Sequence, residues 1–159
     1  MIKFQKPLLS FLLVLLATEF PEALIGLKSK ALAASCFPLN VVDGRGSVVE
    51  KNVSPPSTGI TKDNWNTDFA VSGKTKYQDY IVDITPVKSG NYDVELYLKY
   101  SDNTTDNFYK KSNISLVAGK PLEVSATPRQ GQMPYQVNVR VGGLEAIDKP
   151  YTVSVRGCR

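Results

Sequence analysis

Histidine is absent from this sequence of 159 residues, and cysteine occurs only twice. Because histidine is the side chain that most often acts as a general base near neutral pH, its absence excludes catalysis of the Ser-His-Asp or Cys-His type. A zinc or iron site built from the usual nitrogen and sulfur ligands cannot be assembled within one chain either. Any bound metal would therefore be a hard ion held by oxygen ligands.

Long apolar runs are scarce as well. The most apolar stretch, residues 8–17, follows Lys3 and Lys6 and is too short to cross a bilayer, which takes about 20 residues. A small-residue segment at 31–33 has the composition of a cleavage site, so the layout is that of a signal peptide. We predict that residues 1–33 are a signal peptide, that the mature protein is secreted or periplasmic, and that it has no membrane span.

Neither sign of charge is in large excess once the predicted signal peptide is set aside. Residues 34–159 hold 15 basic and 13 acidic residues, which gives a net charge of +2. They contain no cluster of Lys and Arg of the kind that follows a phosphate backbone, so nucleic acid is not an expected partner. The acidic residues are scattered, and none lies in an apolar stretch that would raise its pKa. We therefore do not expect an enzyme, not even one that works with two carboxylates.

The two cysteines stand at the two ends of the predicted mature chain, Cys36 near its start and Cys158 next to its last residue. Exported proteins mature where thiols oxidise, so we predict a disulfide that joins the two ends. The alternative is a lipid on Cys36, because residues 33–36 loosely resemble a bacterial lipobox. A redox role is not expected, since the sequence has no Cys-x-x-Cys spacing.

Apolar and polar residues alternate along most of the chain, which is the pattern of half-buried β-strands. The alternation is clearest over residues 92–100. Residues 43–46, with the sequence DGRG, predict a hairpin turn between the strands on either side. The predicted strands cover residues 37–42, 47–53, 68–72, 79–87, 92–100, 108–110, 113–118, 122–126, 135–141 and 151–155. Counted as about eight or nine strands, these ten segments predict an all-β domain over residues 34–159, an antiparallel β-sandwich of Ig-like or jelly-roll-like type, with a barrel as the alternative.

The last strands suggest a family. The segment YQVNVRVGG at 135–143, followed by YTVSV at 151–155, resembles the end of the bacterial pre-peptidase C-terminal type of domain, where a YYVRV strand precedes a YTLTV strand. Residues 80–84 resemble its DYYSFTV strand, and residues 93–98 its DADLYLY strand with one Asp where the family has two. The resemblance covers roughly residues 67–155 and implies an exported, non-catalytic β-sandwich module, in some members with calcium and affinity for extracellular polymers.

Two functions follow as hypotheses. The first is an exported module that interacts with another protein or with the cell surface. The alternative is an extracellular polysaccharide-binding module, either without a cofactor or with bound calcium. A ligand site would draw on loops at one end of the sandwich, because loops held by a rigid scaffold can present their side chains together.

The candidate site residues lie in or beside two segments that are rich in Asp and Asn, residues 63–68 and 102–107. Their carboxylates are candidate calcium ligands, and Trp65 and Tyr97 are candidate aromatic contacts for a sugar in one groove. The four carboxylates are those of Asp63, Asp68, Asp102 and Asp106. The structural alternative is that the Asp and Asn residues only form turns and that Trp65 lies in the core. A shared site requires that both segments reach the same end of the fold.

Overall fold

The computed structural model describes residues 35–159, so the predicted signal peptide and its cleavage point lie outside the described residues. The described residues form nine strands and one short 3₁₀ turn at Leu144–Ala146. The strands are β1 (Cys36–Pro38), β2 (Val48–Asn52), β3 (Asn66–Ala70), β4 (Asp79–Pro86), β5 (Gly90–Lys99), β6 (Thr105–Leu116), β7 (Leu122–Ala126), β8 (Gln136–Gly142) and β9 (Pro150–Cys158). Among these residues there is no helix long and apolar enough to cross a membrane.

The strands form two antiparallel sheets that pack face to face. In the five-stranded sheet the order is β1-β9-β4-β7, with β2 also paired to β9. In the four-stranded sheet the order is β3-β8-β5-β6. The predicted all-β sandwich is therefore confirmed, and the two separate sheets exclude the barrel alternative.

The core lies between the two sheets and follows directly from the alternation in the sequence. In β5, the side chains of Tyr92, Val94, Leu96 and Leu98 are buried, while the residues between them are only partly covered. Strands β4 and β9 show the same alternation. Burying one such side chain stabilises the fold by about 1.5–3 kcal/mol relative to leaving it exposed, so this pattern determines which face of each sheet turns inward.

The predicted hairpin around residues 43–46 is wrong. Strands β1 and β2 do not pair with each other, because both pair with the same edge of β9, at Cys36 opposite Cys158 and at Val48 opposite Ser154. The turn itself exists, since the N–H of Val41 donates to the carbonyl of Gly46 at 3.0 Å. The DGRG segment carries a local turn signal, and such a signal does not specify which strand the flanking residues pair with.

Between β1 and β2 the chain crosses from one sheet to the other. The N–H of Val42 donates to the carbonyl of Asp68 at 2.9 Å, and the N–H of Ala70 donates to the carbonyl of Asn40 at 2.8 Å. These bonds cover the end of the free edge of β3. The crossing leaves an open cleft between β2 and the first half of β3.

The disulfide between Cys36 and Cys158 is confirmed, with an S–S distance of 2.04 Å. The two residues lie directly opposite each other in the pairing of β1 with β9. A lipid on Cys36 would need the same sulfur atom, so the disulfide excludes that alternative in this structure.

Candidate functional site

The outer surface of the four-stranded sheet carries a row of polar side chains centred on Tyr97. Tyr97 of β5 lies opposite Asn138 of β8 on one side and Asn107 of β6 on the other. Asn138 in turn lies opposite Asp68 of β3. The row and its neighbours Glu95, Lys99 and Arg140 are called the Tyr97 face below. They belong to one surface because residues two apart on a strand project from the same side of the sheet.

One end of the row is held by a charge pair. The ammonium group of Lys99 lies 2.9 Å from Oδ1 of Asp68, and the amide group of Asn138 donates to the same oxygen at 2.7 Å. Asn138 is only 5% exposed, so it acts as a support beneath its neighbours. The carboxylate of Asp68 is thus fixed at the edge of the sheet.

A second charge cluster surrounds Glu95. Its carboxylate lies 3.8 Å from the guanidinium of Arg140 and 3.5 Å from the ammonium of Lys110. It also accepts a hydrogen bond from the hydroxyl of Tyr97. That hydrogen bond, with help from Lys110 and Arg140, lowers the pKa of Glu95. The acidic groups of the Tyr97 face therefore have basic partners within the same surface.

The ring of Tyr97 lies along the sheet. Its hydroxyl reaches Glu95, which is two positions earlier on the same strand and the same face, so the ring leans along β5 rather than standing upright. The same bond raises the pKa of Tyr97, which keeps the hydroxyl protonated as a donor. The partly exposed ring of Tyr97 is thus held by its hydroxyl among polar groups of the same surface.

Trp65 is not the exposed platform that the sequence suggested. Its side chain is only 6% exposed, and its Nε1–H donates to the carbonyl of Ser54 at 2.8 Å. The guanidinium of Arg140 covers the indole at 4.5 Å from the ring centroid, and a Cβ placed on Gly142 would come within 2.2 Å of the indole. A large aromatic surface at the rim of a sandwich is stabilised by such cover, so Trp65 belongs to the core.

The two Asp/Asn segments enter the four-stranded sheet from opposite ends, and only their last residues, Asp68 and Asn107, reach the row of Tyr97. The first segment lies near the end of β8, where the carbonyl of Trp65 accepts the N–H of Val141. The second segment lies near the start of β8, because it follows Lys99, which pairs with Gln136. Because the two segments lie at different ends of β8, the four aspartates do not converge on one site. The described residues contain no group of three or more His, Cys, Asp or Glu placed to hold a metal ion.

Each of these carboxylates is already bound by protein groups. Asp63 accepts the hydroxyl of Ser57 at 2.9 Å and the N–H of Trp65 at 3.2 Å, and Asp68 is paired as described above. These bonds are typical of turn chemistry. They leave the first segment without a free carboxylate for calcium.

The second segment is organised by Arg129. Its Nε–H donates to Oδ2 of Asp106 at 2.8 Å, and its guanidinium covers the ring of Tyr100 at 4.4 Å. The Arg129 hydrogen bond lowers the pKa of Asp106, while Asp102 accepts the N–H of Thr104 at 2.9 Å. Arg129 thus pairs with Asp106, one of the carboxylates that the sequence named as a candidate calcium ligand.

Several residues of the Tyr97 face were missed by sequence reasoning, which singled out only Tyr97 and Asp68. Asn138 and Arg140 alternate with buried valines in β8, so the period of two would have marked them as outward-facing. Asn107 lies in the segment 102–107, which the sequence marked only as rich in Asp and Asn. Only the pairing of β8 with β5 and of β5 with β6 shows that they surround Tyr97.

The cleft between β2 and β3 has a volume of about 350 Å³. Lys51 crosses one end of it, where its ammonium group donates to the carbonyl of Asn64 at 2.9 Å and to that of Asn66 at 2.6 Å. Burial lowers the pKa of Lys51, and the nearby carboxylate of Asp68 opposes that shift. Lys51 therefore ties β2 of one sheet to the free edge of β3 in the other.

Replacing Lys51 with Met tests that tie. The variant keeps the length of the side chain but leaves two carbonyl groups without their charged donor, so we expect the free energy of unfolding to fall by about 1–3 kcal/mol. Urea denaturation followed by circular dichroism measures the change. Lys62→Met, at an exposed lysine nearby, is the control and should change it by less than about 0.5 kcal/mol. Equal stability of the two variants would show that Lys51 is not a structural contact.

No protein-family model matches the chain, and no curated protein sequence matches it. Among solved structures, it is similar to a family 29 carbohydrate binding module, with a TM-score of 0.45 and 7% identity over 79% of this chain and 88% of that one. A mutant family 29 module gives a TM-score of 0.43 at 7% identity, over 79% of this chain and 91% of that one. The xylanase 10B of Clostridium thermocellum, solved with xylohexaose, gives 0.37 at 12% identity, over 77% of this chain and 24% of that one.

With TM-scores below 0.5 these similarities are weak. The resemblance of the strands to pre-peptidase C-terminal domains stays a prediction.

Proposed function

We propose that this protein is an exported, non-catalytic module that binds a neutral extracellular polysaccharide on the Tyr97 face. The observation that carries the proposal is a partly exposed aromatic ring, held by its hydroxyl on a sheet surface whose charges are compensated within that surface. The disulfide between the chain ends supports export, because such bonds persist in oxidising compartments.

A sugar ring combines an apolar face of C–H groups with a rim of hydroxyls, and the Tyr97 face offers partners for both. The ring of Tyr97 supplies apolar contact area. Beside it, Asn107 uses its amide group to donate to the carbonyls of Leu96 and Tyr109, both at 3.2 Å. Among the described residues nothing donates to its Oδ1, which is free to accept from a ligand hydroxyl. The guanidinium of Arg140 has five N–H groups and uses only part of them within the protein.

The paired charges of the Tyr97 face favour a neutral polymer over a polyanion. Asp68 is paired with Lys99, and Glu95 is paired with Arg140 and Lys110. A polyanion would have to separate these pairs in order to reach the basic groups, and it would approach two carboxylates. A neutral polysaccharide makes its hydrogen bonds without disturbing them.

Replacing Tyr97 with Ala is the direct test. We expect the variant to bind a responsive neutral polysaccharide at least tenfold more weakly, which corresponds to about 1.4 kcal/mol. Tyr97→Phe keeps the ring and should stay within about threefold of the parent. Isothermal titration with xyloglucan, galactomannan, glucomannan and mixed-linkage β-glucan measures the affinities.

The matched control is Phe37→Ala, at a 39% exposed aromatic side chain in the other sheet. If Tyr97→Ala binds as well as this control, the Tyr97 face is not the site. If the parent protein releases no heat with any of the polymers, the proposal is wrong and interaction with a protein becomes the preferred function. Because all four candidate aspartates are bound by protein groups, we expect EDTA to leave the affinities unchanged.

A further inference from the structure

The Tyr97 face continues around the edge of the four-stranded sheet into the cleft between β2 and β3. Asp68 belongs to both, since it ends the row that contains Tyr97 and also lines the cleft. Tyr97 and Asp68 are separated by one strand, β8. At a strand spacing of about 4.8 Å, their backbones lie roughly 10 Å apart, so one ligand chain can reach both.

The cleft has free polar groups as well as apolar walls. Asp43, Arg45 and Glu50 line it, and in the described part of the chain none of their side chains forms a hydrogen bond or an ion pair with another protein group. Val41 and Val49 provide the apolar part of the lining. Two carboxylates and a guanidinium without protein partners are available to a ligand with several hydroxyls.

The shape of the cleft restricts the ligand to a compact one. At one end of the cleft the chain crosses to β3, and the N–H of Val42 donates to the carbonyl of Asp68. At the other end the ammonium group of Lys51 donates to the carbonyls of Asn64 and Asn66. These contacts bound the length of the cleft, which suits a compact ligand better than an extended chain. The volume of about 350 Å³ lies at the lower limit of small-molecule sites, which measure roughly 300–1,000 Å³.

We propose that the cleft is a subsite for a single sugar residue, either the end of a glycan chain or a one-residue side branch, of a polymer lying on the Tyr97 face. This inference rests on the proposed function. Arg45 donates to neighbouring hydroxyls, Asp43 and Glu50 accept from others, and the valines contact the apolar face of the sugar. The module then distinguishes chain ends or branch points from the middle of a linear polymer.

The test is a double variant, Arg45→Ala with Glu50→Ala. Both side chains are exposed and have no protein partner among the described residues, so the fold should be retained, which circular dichroism checks. Three ligands distinguish a side branch from a chain end as the sugar that enters the cleft. Galactomannan carries one-residue branches, short linear manno-oligosaccharides are rich in ends, and long linear mannan has few of either. We expect at least tenfold weaker binding of galactomannan or of the oligosaccharides, and a change below twofold for linear mannan.

The control for the double variant is Lys74→Ala, at an exposed lysine outside both the cleft and the Tyr97 face. If the double variant binds all three ligands as the control does while Tyr97→Ala weakens binding, the subsite is wrong and the proposed function stands. An equal loss for all three ligands would also overturn the subsite, because the cleft would then belong to the main site. If neither Tyr97→Ala nor the double variant changes binding, both proposals fail, and they also fail if the parent binds none of the polysaccharides in either experiment.

Discussion

Reduction of the disulfide between Cys36 and Cys158 is expected to lower the free energy of unfolding by about 2–5 kcal/mol. The two cysteines are 122 positions apart, so the bond closes almost the whole described chain into one loop. In the chain-entropy model the stabilisation grows with loop length and reaches about 4.7 kcal/mol for a loop of 100 residues. The bond also links β1, which is only three residues long, covalently to β9.

Thermal unfolding with and without a reducing agent measures this effect, and the double variant Cys36→Ala with Cys158→Ala measures it without added thiol. We expect the melting temperature to fall by roughly 10 °C. Titration of free thiols on the oxidised protein is the control and should find none. A fall of less than about 1 kcal/mol would mean that the ends of the chain are held by β-pairing alone.

Replacement of Trp65 with Ala is expected to destabilise the protein by about 3–5 kcal/mol, as is typical for a large buried aromatic residue. The indole is almost fully covered, its N–H is bonded to Ser54, and it packs directly on the backbone of Gly142. Gly142→Ala should destabilise as well, by about 1–3 kcal/mol, because its new methyl group would overlap the indole. Chemical denaturation measures both changes.

Tyr135→Ala is the matched control for Trp65, since it removes an aromatic side chain that is 52% exposed. We expect that variant to lose less than about 1 kcal/mol. A Trp65→Ala protein that keeps the stability of the parent but no longer binds polysaccharide would contradict our interpretation. It would return Trp65 to the role of a ligand platform that the sequence first suggested.

The positions of most strands were predictable from the sequence, and their partners were not. The period-two pattern of β5 identified both its extent and its buried face, because that pattern records the environment of each residue locally. The segment around Gly44 shows the limit. A turn signal predicted two strands paired with each other, whereas both pair with β9, which lies about a hundred residues further along the chain. Pairing over such a separation depends on the whole core, which no local signal records.

The candidate site was predictable only in part for the same reason. Tyr97 and Asp68 were identified from residue type, and they do lie on one face. Asp63 and Asp102 were grouped with them because both segments are rich in oxygen ligands, yet the segments enter the sheet from opposite ends. The end of the sheet that a segment reaches depends on the direction and order of the strands, and the composition of the segment determines neither.

The sequence by itself determined that the domain is all-β and that histidine-dependent chemistry is excluded, and it predicted the disulfide between Cys36 and Cys158. These follow from composition and from local periodicity, which hold whichever way the strands pair. Only the tertiary structure decided that Trp65 is covered by Arg140, that charges on the Tyr97 face are paired across strands, and that a cleft opens between β2 and β3. Those features arise from contacts between residues that are distant in sequence. The register of the strands in each sheet determines which of these residues lie next to each other.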